Sequence, residues 1–220
     1  LYSMGEILVT MVGGMLLALL FNRMTRSFGL MRAFVFVPKY VAMSSAAVVF
    51  LWILNTDAGV LNYLLQCIGL PAVDWLNQQS TALPSVLMLT GWRVIGYGMM
   101  IYLSAMIGIS QEYYEAASLD GANGFQKFFR ITLPLLSPTT LFLLVTTFLS
   151  SMKVFQSVDI LTSGGPARST EVFVYLIYRY AMVDFRMDRA STAAVMFFLI
   201  LLTITILTMK LSDRSVTYDS

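Results

Sequence analysis

The chain has 220 residues, of which 58% are hydrophobic and 12% are charged, with a mean hydropathy of +0.76 and a net charge of +2. Soluble domains carry about 25% charged residues, so this composition excludes a soluble enzyme, a nucleic-acid-binding protein and a disordered chain. The chain has no His and a single Cys, Cys67, which removes imidazole chemistry, an internal disulfide and a cysteine cluster for zinc or iron–sulfur.

Five apolar stretches are long enough to cross a lipid bilayer, which takes about 20 mostly apolar residues in a helix. Lipid offers no hydrogen-bond partners to an open backbone, and the period-two alternation of a β-barrel is absent, so each stretch is predicted to be a helix. The sequence therefore predicts an all-α polytopic bundle, a single transmembrane domain over 1–220. The predicted spans are 5–21, 34–54, 83–107, 133–154 and 190–210.

Basic residues next to the spans predict the orientation of the chain. Arg23, Arg32, Lys127 and Lys210 lie in or beside 22–33, 108–132 and the C-terminal tail, whereas 55–82 has no Lys or Arg. The positive-inside rule then places 22–33, 108–132 and the C-terminus in the cytoplasm, and the N-terminus and 55–82 outside. The segment 157–189 resists this rule because it carries four arginines, although four acidic residues balance them. Within it, the aromatic-rich stretch 172–183 is too short to span and predicts a helix at the membrane interface.

The segment 108–132 predicts two short helices that meet at a glycine. Ser110 can cap the first helix, and Gly121 can take the left-handed conformation that ends it. A second helix over about 123–130 leads to Pro134, which is expected in the first turn of the next span. This arrangement fits a knob that docks into a groove on a soluble partner, but it fits an ordinary loop with an interfacial helix equally well.

The same segment resembles the EAA loop of ABC importer permeases. The pattern is Glu-Ala-Ala, three residues, Gly, nine residues, and then Ile-x-Leu-Pro, and it lies about 100 residues from the C-terminus. The resemblance implies that this loop docks a cytoplasmic ATPase. The implied coupling residues are Glu115, Ala116, Ala117, Asp120, Gly121, Ile131, Leu133 and Pro134.

The resemblance continues along the chain and narrows to the carbohydrate permeases of the maltose, glycerol-phosphate and multiple-sugar type. Phe36-Val-Pro38, Gly59-Val-Leu-Asn62, Trp92-Arg-x-x-Gly-Tyr97 and Leu161-Thr-Ser-Gly-Gly-Pro166 carry it. These relatives usually have a core of six helices, so the first helix is absent from the five seen in this chain.

Family membership implies the partners. They are a second homologous permease, two cytoplasmic ATPase subunits, an extracytoplasmic solute-binding protein and a carbohydrate, in the inner membrane of a prokaryotic cell. No Gly-x-x-x-x-Gly-Lys-Ser/Thr motif is present in the sequence, so ATP and Mg²⁺ are expected on the partner ATPase. The permease is accordingly expected to have no enzymatic activity, no catalytic residues and no cofactor or metal of its own.

Three basic residues lie inside the predicted spans, where a charge is costly and is by default functional. Arg93 lies near the middle of its span, whereas Lys39 and Lys153 lie close enough to an end to reach the interface. Arg93 could also serve only to bond backbone carbonyls. The one acid in the spans, Glu6, is expected near an outer edge, so the cations lack a partner. We therefore expect an anionic carbohydrate, such as a uronate oligosaccharide or a sugar phosphate.

Alignment with maltose-type relatives implies a substrate path through eight positions, each of which helix packing would also explain. They are Lys39, Met43, Thr90, Arg93, Tyr97, Ser150, Ser151 and Val154. Thr90, Arg93 and Tyr97 recur at helical spacing and share one face, and Tyr97 suits stacking on a sugar ring. The alternative is a secondary transporter or channel subunit that uses Arg93 and Lys39 as its site.

Overall fold

The computed structural model describes residues 1–22 and 26–215, and these are helical with no strand. Arg23, which contributes to the predicted orientation, lies outside these ranges. In chain order the helices are α1 (Tyr2–Phe21), α2 (Arg26–Phe36, followed by a 3-10 turn at Val37–Tyr40), α3 (Met43–Ile53), α4 (Val60–Cys67), α5 (Gln79–Ile107), α6 (Gln111–Leu119), α7 (Gly124–Leu135), α8 (Ser137–Met152), α9 (Gln156–Leu161), α10 (Phe173–Val183) and α11 (Met187–Ser215).

Each predicted span corresponds to one long helix or to one bent pair of helices. The helices α1, α5 and the Met187–Thr208 part of α11 are long and apolar enough to cross a membrane, as predicted for 5–21, 83–107 and 190–210. Two further pairs, α2 with α3 and α7 with α8, satisfy the same criterion only together. They bend by 103° and 61° respectively.

The second predicted span, 34–54, is wrong as one continuous helix. The 3-10 turn ends at Tyr40, and Val41 and Ala42 have extended backbone with ψ angles of 133° and 132° before α3 begins. Pro38 lies in the turn just ahead of the break. Such a break frees backbone carbonyls from their helical donors, and in a membrane another part of the protein has to supply donors instead.

The fourth predicted span, 133–154, begins later and ends earlier than predicted. Because α7 extends to Leu135, Pro134 lies in the last turn of α7 rather than in the first turn of the span. Pro138 occupies that first turn instead. The short helix expected over 123–130 is longer for the same reason, and the bend between α7 and α8 separates the loop from the span.

Close packing of α1 on α5 positions the centre of the bundle. Gly14 meets the backbone at Gly98, and Gly13 faces Ile95, so the two helices run parallel and their small residues let the backbones approach. Helix α8 runs back beside them, and the Ser3 hydroxyl lies 3.6 Å from the Met152 sulfur. The ends of α1 and α5 therefore lie with α6 and α7 at one end of the bundle, the coupling end, and their starts lie at the opposite end.

Gly96 is the glycine of α5 at which a side chain is least tolerable. A Cβ there would overlap the Val35 carbonyl of α2 and lie 3.0 Å from the Phe36 Cα. We expect Gly96→Ala to lower the unfolding free energy by about 1–3 kcal/mol, the usual cost of overpacking. Thermal unfolding in detergent measures it. Gly29→Ala on the same α2 is the control because nothing lies within 4 Å of its Cβ, and an unchanged or raised melting temperature is expected there.

One buried asparagine organises the segment between α3 and α5 at the opposite end. Asn62 is 1% exposed, and its amide donates to the carbonyls of Thr56 (2.8 Å) and Val73 (2.9 Å). Its oxygen accepts from the Val73 N–H (3.1 Å) and from the Trp75 indole (2.9 Å). All four hydrogen-bonding positions of the side chain are used, which fixes the loop that carries α4.

The short helix predicted over 172–183 is confirmed as α10, an apolar helix too short to span. Arg179 at its centre pairs with Glu171 and lies 3.8 Å from Asp184. Arg186 pairs with Asp188 at 3.3 Å. Two of the four arginines in 157–189, which the positive-inside rule does not expect outside the membrane, are thus paired with nearby carboxylates.

Candidate functional site

The loop at the coupling end is built from two capped helices, as the sequence predicts. The Ser110 hydroxyl accepts the Glu112 N–H at 3.3 Å and starts α6, and Gly121 follows its end at a φ of +78°. Asn123 and Gln126 then form a reciprocal capping box, with both bonds 2.9 Å long, at the start of α7. Three local devices therefore define the start of α6 and the turn between the two helices.

Two side-chain contacts tie α6 to α7. The hydroxyls of Tyr114 and Thr132 lie 2.9 Å apart, and the Lys127 ammonium donates to the Ser118 hydroxyl at 2.6 Å. Thr132 is buried beneath the loop. The two helices therefore form one unit, which the bend after α7 joins to α8.

The outer face of this unit exposes the predicted coupling residues together with large apolar side chains. Glu115, Ala116, Asp120, Gly121, Leu133 and Pro134 are exposed, whereas Ala117 and Ile131 are half-buried. Leu119 and Phe125 are 91% and 73% exposed, and sequence analysis did not single them out. The sequence contained a pattern that could have identified them, because these two large apolar residues flank a glycine turn that is otherwise mostly polar.

Arg93 donates hydrogen bonds to the backbone at the break between the two halves of the second span. Its Nη2 donates to the carbonyls of Lys39 (3.1 Å) and Val41 (2.9 Å), and its Nη1 lies 3.3 Å from the Met43 sulfur. These carbonyls flank the extended break, so Arg93 supplies donors that the helix lacks there. Bonding to backbone carbonyls, one of the two roles open to Arg93 from the sequence, is therefore present in the structure.

Arg93 also lines a cavity of about 520 Å³, the Arg93 cavity, with Met43, Lys153, Val154 and Gln156. Its lining contains two cations and no carboxylate. Carbonyl partners satisfy hydrogen bonds but carry no net charge, so the positive charge of this cavity is unbalanced by its own walls.

A second cavity of about 210 Å³, the Lys39 cavity, lies one helical turn towards the coupling end. Lys39 and Tyr97 line it with Ser150, and the Lys39 ammonium lies 4.8 Å from the centre of the Tyr97 ring. Tyr97 follows Arg93 by four residues, and Ser150 precedes Val154 by four. The two cavities are therefore consecutive along the same two helices.

The expectation that no acid accompanies the basic residues is wrong. Glu6 is 5% exposed and lines the same cavity as Lys39. Helix α1 begins at Tyr2 and packs along α5 from its first turn, where Gly5 meets Leu87. Glu6 is consequently enclosed in the bundle rather than placed at an outer edge.

Two of the predicted path residues line neither cavity. Thr90 is 2% exposed, and its hydroxyl donates to the Val86 carbonyl of its own helix at 3.1 Å. Ser151 donates to the Phe148 carbonyl at 2.7 Å and lines a separate cavity of about 330 Å³ at the opposite end. The other six, which are Lys39, Met43, Arg93, Tyr97, Ser150 and Val154, are gathered around the two consecutive cavities.

Comparison with known proteins identifies the family to which this architecture belongs. Residues 10–218 match the family described as the binding-protein-dependent transport system inner membrane component. The chain belongs to this family. The permease is 36% identical over 214 residues to the probable ABC transporter permease protein YurN of Bacillus subtilis, which covers 96% of this chain and 73% of YurN. It is 31% identical over 219 residues to the sn-glycerol-3-phosphate transport system permease protein UgpA of Agrobacterium fabrum, covering 99% and 74%.

Two solved structures share the fold of the permease. One is a bacterial ABC transporter involved in the import of the acidic polysaccharide alginate, with a TM-score of 0.84 and 26% identity, covering 97% of this chain and 78% of that one. The other is a bacterial alginate ABC transporter in complex with an alginate pentasaccharide-bound periplasmic protein, with a TM-score of 0.86 and 28% identity, covering 97% and 75%. The chain is thus a helical polytopic ABC transporter permease, and the alternative of a secondary transporter is wrong.

Proposed function

We propose that the permease forms half of the translocation path of an ATP-driven importer for a carbohydrate that carries negative charge. A second, homologous permease completes the path, two ATPase subunits dock in the cytoplasm, and a solute-binding protein delivers the sugar from outside. The chain crosses the inner membrane of a prokaryotic cell with its N-terminus outside and its C-terminus in the cytoplasm. ATP and Mg²⁺ are bound by the ATPase and not by this chain.

The α6–α7 unit supports the docking of an ATPase at the coupling end. An exposed carboxylate, Glu115, stands beside small residues and near the exposed apolar side chains of Leu119 and Phe125. Apolar anchors surrounded by polar groups are typical of protein interfaces. Closure of the ATPase pair would move this unit as one body, and the bend before α8 would carry the motion to the path.

The observation that carries the proposed substrate class is the Arg93 cavity. Its two cations face a space with no carboxylate in its walls, and a charge inside a membrane protein requires a partner. A carboxylate or phosphate group on the sugar would supply it. The relatives support the same class, because sn-glycerol-3-phosphate and alginate, named in the descriptions of UgpA and of the solved importers, both carry negative charge.

Stimulation of ATP hydrolysis by ligand-loaded binding protein tests this function. The complex of both permeases and the ATPase is reconstituted in liposomes, and the binding protein is loaded in turn with neutral oligosaccharides, uronate oligosaccharides and sugar phosphates. We expect stimulation of several-fold, larger for an acidic ligand than for a neutral one. Absence of stimulation by every sugar would overturn the proposed function.

The variant Lys153→Met tests whether the permease selects for negative charge on the sugar, independently of whether it transports sugars at all. We expect it to reduce uptake of the acidic sugar about tenfold, because one favourable charge is lost at a partly enclosed site, and to change uptake of the neutral sugar little. Lys210→Met near the end of α11 removes the same charge outside the cavities and is expected to leave both unchanged. Equal loss for acidic and neutral sugars in Lys153→Met would contradict the anionic assignment.

A further inference from the structure

Glu6 is a buried acid whose role the proposed function does not explain. It is 5% exposed, and its Oε2 has no hydrogen-bond partner in the described part of the chain. Its backbone carbonyl accepts the Thr10 hydroxyl at 2.8 Å, and the Tyr2 hydroxyl and the charges of Lys39 and Arg93 act on the carboxylate, but Oε2 itself is left without a hydrogen bond. Enclosing a carboxylate that has no cation in direct contact and one oxygen without a partner costs folding free energy, so a carboxylate kept at this place points to a ligand that it binds.

The ion pairs formed within residues 1–22 and 26–215 do not include Glu6 or Lys39. Both nevertheless line the Lys39 cavity, where the Lys39 ammonium lies against the Tyr97 ring rather than on a carboxylate. The two opposite charges therefore stand in the wall of one cavity without closing on each other. Each remains available to a group that enters between them.

Most of the remaining wall of the Lys39 cavity is made of hydroxyl side chains, three of them from α8, and Val94 is its apolar member. Thr146, Thr147 and Ser150 line it, and the Thr146 hydroxyl already donates to the Phe142 carbonyl at 2.8 Å, which leaves its oxygen as an acceptor. The cavity thus combines a carboxylate acceptor, an ammonium donor, hydroxyls and one aromatic face. This combination suits a ring that carries several hydroxyl groups, since each hydroxyl both donates and accepts.

The charge of the Lys39 cavity differs from that of the Arg93 cavity one turn away. One turn of helix is about 5.4 Å, a distance that one sugar ring can bridge. The Arg93 cavity has two cations and no acid in its walls, whereas the Lys39 cavity has one cation and one acid. An anionic group is therefore favoured in the first cavity over the second, where the carboxylate of Glu6 offsets the attraction of Lys39.

We propose that Glu6 is a specificity-determining residue of the translocation path, which binds the hydroxyls of an uncharged sugar unit and disfavours an anionic one by offsetting the charge of Lys39. This inference rests on the proposed function and refines its substrate class. The preferred substrate then carries its negative group on one unit, which occupies the Arg93 cavity, beside a neutral unit that occupies the Lys39 cavity. A chain with a carboxylate on every unit is disfavoured.

Transport by the reconstituted complex tests the role of Glu6 with three probes of equal length. They are a neutral oligosaccharide, an oligosaccharide with one terminal carboxylate, and an oligosaccharide with a carboxylate on every unit. In the wild-type complex we expect the singly charged probe to be transported best. Glu6→Gln keeps the size and one acceptor oxygen, replaces the other oxygen by an NH2 donor and removes the charge, so the rate for the fully charged probe is expected to rise about tenfold relative to the singly charged one.

Asp188→Asn is the matched control, because it removes a carboxylate from the exposed start of α11, away from both cavities. It is expected to leave the ratio of rates unchanged. An unchanged ratio in Glu6→Gln, or an equal loss for all three probes with a lower melting temperature, would overturn the inference and leave the proposed function intact. Failure of the wild-type complex to transport any of the probes would instead overturn the proposed function.

Discussion

Replacing Glu115 by lysine is expected to abolish ATP-driven transport while leaving the permease folded in the membrane. The carboxylate is exposed on α6 beside small residues. Reversing its charge is therefore expected to change the folding stability of the isolated permease little. A charge that pairs across an interface is costly to reverse, because like charges then face each other in a site from which water is excluded. We expect co-purification of the ATPase to fall more than tenfold, measured as bound ATPase per permease after detergent extraction.

Glu112→Lys is the control for this experiment. It makes the same change of charge one turn earlier on the same exposed helix. The two variants therefore have the same net charge, and the positive-inside rule predicts the same orientation for both. Retention of the ATPase by Glu115→Lys would contradict the docking role of the loop. Equal loss in both variants would show a general effect of charge and would contradict a specific role of Glu115.

The turn of the coupling loop offers an independent disruption of the same surface. Gly121 has a φ of +78° with nothing within 4 Å of its Cβ position, so a side chain there meets backbone strain but no neighbour. Gly121→Asp is expected to shift the end of α6 and to weaken ATPase binding in the same assay. Binding as strong as that of the wild type would show that the turn geometry is unimportant for docking.

The coupling loop could be predicted from the sequence because local interactions determine it. Ser110 caps the helix that follows it, and Gly121 ends that helix two residues beyond its last turn. Each device acts within a few residues, so its signal survives in the sequence whatever the rest of the fold does. The exception is Pro134, for which the bend between α7 and α8 decides on which side of the junction it lies.

The break in the second span could not be predicted in the same way. The sequence remains apolar from Val41 through α3, and hydropathy measures only how well side chains suit lipid. What stabilises the break is Arg93, more than fifty residues further along the chain, whose donors reach the freed carbonyls. The packing of α1 on α5, which encloses Glu6, is likewise a tertiary property that a span prediction does not contain.

Replacing Arg93 by methionine is expected to reduce transport of every sugar and to destabilise the fold. Its Nη2 bonds two carbonyls at the break of the second span, and methionine would leave both without a donor. Each enclosed acceptor that loses its partner costs roughly 1–3 kcal/mol, so we expect the unfolding free energy to fall by roughly 2–6 kcal/mol. Thermal unfolding of the detergent-solubilised complex and uptake of acidic and neutral sugars measure the two effects.

The variant Arg93→Lys distinguishes two roles of Arg93, which are hydrogen bonding at the break of the second span and positive charge in the Arg93 cavity. Lysine keeps the positive charge but lacks the planar fork that reaches two carbonyls at once. Arg93→Lys is expected to lose stability and to transport acidic and neutral sugars in the wild-type ratio, whereas Arg93→Met, which also removes one of the two cations of the Arg93 cavity, is expected to transport the acidic sugar less well relative to the neutral one. If Arg93→Met retains its melting temperature and loses only the acidic sugar, the guanidinium acts on the substrate, and its bonds to the Lys39 and Val41 carbonyls are dispensable for the fold.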